Sequence, residues 1–78
     1  MAITITTETG SRYVIQEKKE KILISKGAFL EAELVKLRSS LRVGEKLEAD
    51  IRKYSIYGQP QKDLTYIITG KIVRIDTN

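Results

Sequence analysis

Cysteine and histidine are both absent from the chain. Their absence removes disulfides, thiolate and imidazole metal sites, thiol nucleophiles and histidine acid–base chemistry together. Tryptophan is missing and phenylalanine occurs once, so most aromatic packing or stacking falls to the four tyrosines. No apolar run approaches the roughly 20 residues that a membrane-spanning helix needs. The opening MAITITT has neither the basic start nor the long apolar middle of a secretory signal. These absences set the expectation of a cytoplasmic protein with no membrane association. A phosphate loop is excluded as well: Thr69-Gly70-Lys71 is preceded by Thr65 where the first glycine belongs, and Ile72 follows where Ser or Thr is required. The carboxylates show no calcium-loop spacing. Glu48 and Asp50 share a strand face and have the chemistry to ligate a metal, but solvated strand-face charge is the reading adopted. The expectation is therefore no enzyme, no cofactor and no metal.

What remains fits one small domain spanning residues 1–78, with 41% hydrophobic and 31% charged residues, the balance of an ordinary soluble chain. Ala2–Thr7 alternates Ile with Thr, the period-two pattern of a half-buried strand. Glu8–Ser11 is turn chemistry around Gly10, leading to a second strand over Arg12–Gln16. Glu17–Glu20 reads as a charged turn and Lys21–Ser25 as a third strand. Alternation returns from Lys46, with Leu47, Ala49 and Ile51 on one face. It slips phase at Tyr54 and Ile56, which suggests a bulge near Lys53. Gly58–Asp63 is a polar loop containing the one proline. Leu64–Asp76 is the last strand, with Gly70 marking a bulge or bend, and residues 76–78 read as a frayed tail.

Ala28–Leu41 stands apart. Leu30, Leu34, Leu37 and Leu41 recur at steps of four, three and four, one stripe of a helix. The stretch is rich in helix formers and places Glu31 and Glu33 before Lys36 and Arg38, the order a helix dipole favours. The spacing predicts a helix, with Phe29 and Val35 pointing away from its stripe. Val35, Leu37, Ser39, Leu41 and Val43 also alternate, so a strand over 32–38 is the competing reading. The element order β-β-β-α-β-β is that of a five-stranded oligonucleotide-binding (OB-like) barrel, in which the helix plugs one end. The alternative is an SH3-like, all-β barrel without the helix.

A net charge of +4 favours acidic partners. Arg12, Lys18, Lys19 and Lys21 lie on or beside strands two and three, and Arg52, Lys53, Tyr54, Tyr57 and Lys62 flank the loop between the fourth and fifth strands, the latter being the last. Cations for phosphate and aromatic faces for bases are the chemistry of single-strand binding, so nucleic acid, single-stranded DNA or RNA, is the first partner expected. Tyr13 and Tyr66 are read instead as packing residues. The second expectation is a protein-interaction module or phage-type accessory or inhibitor protein acting through a strand edge or helix face, with homo-oligomer formation completing a thin core. A small anionic ligand held between protomers is a third. Gathering Arg52, Lys62, Lys71 and Arg74 on one face with Tyr57 would favour nucleic acid; an even spread would favour the interaction module.

Overall fold

The Ile/Thr alternation at the start forms strand β1 over Ala2–Thr7, with Ile5 fully buried and Thr4 and Thr6 on the opposite side. In the computed structural model, which describes residues 2–27, 29–54 and 57–77, five further strands follow. They are β2 (Arg12–Lys18), β3 (Lys21–Lys26), β4 (Leu30–Leu37), β5 (Lys46–Lys53) and β6 (Thr65–Thr77). Each pairs antiparallel with its predecessor, and β6 returns to pair with β1, closing a six-stranded barrel. No helix occurs among the described residues, and so none long and apolar enough to cross a membrane.

The helix expected over 28–41 is therefore not formed, and with it goes the five-stranded order with a helical plug. The reason lies in the pairing of β4 with β5. Leu34 faces Ile51 and Lys36 faces Asp50, which leaves Val35 as an extra residue in a bulge. Ahead of the bulge Leu30, Ala32 and Leu34 hold the inward parity; after it Leu37 shares that parity opposite the buried Ala49, but it is exposed and does not join the core. One inserted residue thus turns a period-two pattern into the four-then-three spacing of a helix. Leu30, Leu34 and Leu41 still pack on the core, as the stripe required, but through a strand and the loop after it. That loop, residues 38–45, closes the barrel end assigned to the plug. Gly44 N–H donates to Ile72 O (2.8 Å), Ile72 N–H donates to Glu45 O (2.9 Å), and Leu41 lies against the core. Ala28 lies outside the described residues.

The core draws on every strand: Ile5, Ile15, Ile24, Ala32, Leu47, Ala49, Ile51 and Ile72. Tyr13 packs half-buried against it as expected, with the Lys26 ammonium 5.3 Å from its ring centroid. Tyr66 does not; it stands 51% exposed on the outer face. β6 is the corner strand. Ile68 faces Glu48 and Lys71 faces Lys46, so one extra residue falls at Thr69–Gly70, the bulge that Gly70 signalled. A second slip at Val73 marks where β6 leaves β5 for β1. The strand runs on through Asp76 and Thr77, which pair with Thr4 and Ile3, so these residues are not a frayed tail. No bulge occurs at Lys53 either: β4 and β5 keep one register from Leu34–Ile51 to Ala32–Lys53, and the strand then ends. Ile56, part of that expectation, lies outside the described residues, as does Asn78.

The β2–β3 turn is tighter than the sequence suggested, because β2 continues to Lys18 and only Lys19 and Glu20 lie between the strands. Both have positive φ, 49° and 66°. Such mirror-type turns match the twist of a hairpin but favour Asn-Gly, since a side chain in the left-handed region costs about 1–2 kcal/mol. Glu20→Gly is expected to raise stability by about 0.5–1 kcal/mol, net of the entropy a glycine loses on folding. Thermal melts monitored by circular dichroism check this; an unchanged or lower midpoint would show that the turn is unstrained.

Candidate nucleic-acid interface

Because Ile15, Ile24, Ala32 and Ile51 point inward, the row Gln16–Leu23–Glu33–Arg52, one residue out of phase, faces outward across β2 to β5. Over this outer face lies a cleft of about 790 Å³ lined by Lys18, Lys19, Lys21, Leu23, Glu31, Tyr54, Gly58 and Pro60. A second depression, sharing Lys18, Leu23 and Glu31, carries it toward Val14, Gln16 and Ser25. The cleft exists because the chain after β5 folds back: Tyr54 bridges to Pro60, and Gln61 N–H donates to Lys53 O (2.9 Å). Leu23 supplies an apolar floor, Tyr54 and Pro60 one wall, and the β2–β3 turn a basic rim.

Of the residues singled out in the sequence, Lys18, Lys19, Lys21 and Tyr54 are brought together here. Tyr57, 85% exposed, and Lys62 stand on the same loop as Tyr54. Arg52 lies on the neighbouring outer row but is ion-paired with Glu33 (3.7 Å), its Nε buried without a hydrogen-bond partner. Lys53, opposite inward-facing Ala32, is exposed at the barrel mouth. Arg12 is elsewhere, in a polar depression with Thr4, Thr6, Arg74 and Asp76. Arg52, Lys71 and Arg74 do not share one face: they lie on the β4–β5, β5–β6 and β6–β1 seams. Sequence reasoning missed Leu23, Glu31, Gly58 and Pro60. Alternation in KILIS carried a signal for Leu23; Glu31 was hidden by its assignment to a helix.

The ion pairs among the described residues all use arginine. Arg38, Arg42, Arg52 and Arg74 are bound to Asp50, Glu45, Glu33 and Asp76. Lys18, Lys19 and Lys21 have no ion pair among the described residues, so their charge is available to a ligand. Exposed ion pairs add little stability, and Arg12, Lys26, Lys36, Lys46, Lys53, Lys62 and Lys71 are likewise outside the ion pairs of the described residues.

Glu48 and Asp50 do share an outer face, and each is engaged. Tyr66 Oη donates to Glu48 Oε1 (2.8 Å), and Arg38 Nε donates to both Asp50 oxygens (3.0 Å). The Arg38 guanidinium also lies 5.9 Å from the Tyr66 ring centroid. The bond to Asp50 raises the Arg38 pKa. The bond to Glu48, followed by partial desolvation, lifts the Tyr66 phenol above its ordinary value. A folded-state pKa above the unfolded one stabilises at all pH below the ordinary tyrosine range, and that contribution is lost as pH rises through the folded value. Glu48→Gln is expected to return the Tyr66 ionisation toward the ordinary value near 10. Alkaline absorbance titration, with Tyr66→Phe to assign the step, checks this; an unmoved step would mean the bond is absent in solution.

No protein-family model matches the chain, and comparison with curated proteins and with solved structures finds no match.

Proposed function

We propose that this barrel is a non-catalytic binding module that takes single-stranded nucleic acid, DNA or RNA, across the outer face of β2, β3 and β4. The observation that carries this reading is the meeting of three unpaired lysines with Tyr54 over an apolar floor. The lysines neutralise consecutive phosphates and release condensed counterions. Tyr54 offers a stacking face worth about 1–3 kcal/mol per base, and its bridge to Pro60 fixes the backbone that carries it. A concave cleft suits an exposed strand, whereas reading a duplex calls for a protruding helix or ribbon.

The test is fluorescence anisotropy of a labelled single strand of about ten nucleotides, within the span of known small-barrel sites. Binding is expected to weaken steeply with salt; absence of binding at low ionic strength would overturn the proposal.

A second reading, a protein-interaction module, draws on Leu64, Ile68 and Val73, each about half exposed, and on the spread of the remaining cations around the barrel. It would work through an outer face, because barrel closure and the absence of a helix among the described residues remove the strand edge and helix face it was expected to use.

A further inference from the structure

We propose that the cleft selects guanine, with the Glu31 carboxylate taking the N1–H and N2–H₂ edge of a base stacked on Tyr54. This rests on the single-strand reading above and names the base it prefers. Glu31 is the one acid among the residues lining the cleft, beside Lys18, Lys19 and Lys21. It has no ion pair or side-chain hydrogen bond among the described residues. Glu17, Glu20 and Asp63 share that lack but do not line the cleft, while Glu33, Glu45, Glu48, Asp50 and Asp76 are engaged. A free carboxylate in a phosphate-binding cleft repels the backbone, so its position is unfavourable unless it meets a donor.

The bases differ in what they offer such a group. An ionised carboxylate only accepts, through two oxygens that suit a pair of parallel donors. Guanine presents two adjacent donors on its pairing edge. Adenine and cytosine set an amino group beside a ring acceptor, and thymine or uracil sets one N–H between two carbonyls. Guanine alone satisfies both oxygens.

Glu31 stands two residues before Glu33 on the same outward parity of β4, and Tyr54 directly follows β5; both line the one cleft. A base lying flat on the Tyr54 ring therefore turns its edge toward Glu31, while its phosphates run toward the lysine rim.

The test measures anisotropy for three strands of about ten nucleotides: all thymine, thymine with one central guanine, and the same with inosine, which lacks the N2 amino group. One guanine is expected to tighten binding about tenfold, within the range of a good bidentate base contact, and inosine to lose most of that gain. Glu31→Gln is expected to abolish the preference while binding the thymine strand at least as tightly, because a charge has left the phosphate path. Equal binding of guanine and thymine strands by the native protein, or a preference that survives Glu31→Gln, would overturn the guanine assignment alone. Failure of even the thymine strand to bind at low salt would overturn it together with the proposed function.

Discussion

Ala32→Lys is expected to unfold the protein. Ala32 has no exposed surface and sits inside the barrel opposite Ile24 on one side and Lys53 on the other. A lysine there must either bury an unpaired ammonium or split the β3–β4–β5 seam, a change in the class that costs more than about 4–5 kcal/mol. A chain of this length has roughly 4–12 kcal/mol in total, at about 0.05–0.15 kcal/mol per residue. Circular dichroism should lose its strand signature, with no cooperative melt. The same substitution on a helix bearing the leucine stripe would be harmless, since at 100° per residue Ala32 lies about 200° from Leu30, on the solvent side. Val35→Lys is the control. At the half-exposed bulge it should change stability by no more than about 0.5 kcal/mol. A folded Ala32→Lys protein would contradict the barrel.

Joint replacement of Lys18, Lys19 and Lys21 by alanine should have the largest effect on binding. Each phosphate neutralised on a single strand contributes about 0.7 to the slope of log affinity against log salt. Removing three contacts should flatten that slope by about 2, which corresponds to roughly a hundredfold loss at 0.1 M salt that fades toward 1 M. Arg38→Ala, on a different outer face and already neutralised by Asp50, should leave the slope unchanged. If the triple variant keeps its slope and its affinity, phosphate is not bound at this rim.

Much of the sheet was legible because alternation and turn chemistry are local. β1 occupies the stretch where Ile and Thr alternate, β5 begins where Leu47, Ala49 and Ile51 resume the pattern, and Gly70 announced its bulge. β4 was not legible. Leucine, alanine and glutamate favour helix locally, and a bulge at Val35, a residue with no special turn chemistry, imitated helical spacing; tertiary pairing overrode both. That single misreading propagated. With Glu33 placed on a helix, its cross-strand ion pair with Arg52 was invisible, so Arg52 was counted as a free cation. The basic turn and Tyr54 were recognisable from residue type alone. Their meeting was not, because it depends on the register that aligns Leu23, Glu33 and Arg52 across three strands distant in sequence.

Titration of the amide NMR spectrum with an unlabelled single strand tests the central claim most directly, because it reads every face of the barrel at once. Shifts are predicted at Lys18, Lys19, Lys21, Leu23, Glu31, Tyr54 and Gly58, growing weaker with added salt. Arg38, Glu48, Tyr66 and Ile68 should remain unmoved. No perturbation at low salt, or shifts confined to the Tyr66 and Ile68 face, would contradict a nucleic-acid cleft between the β2–β3 turn and the chain that follows β5.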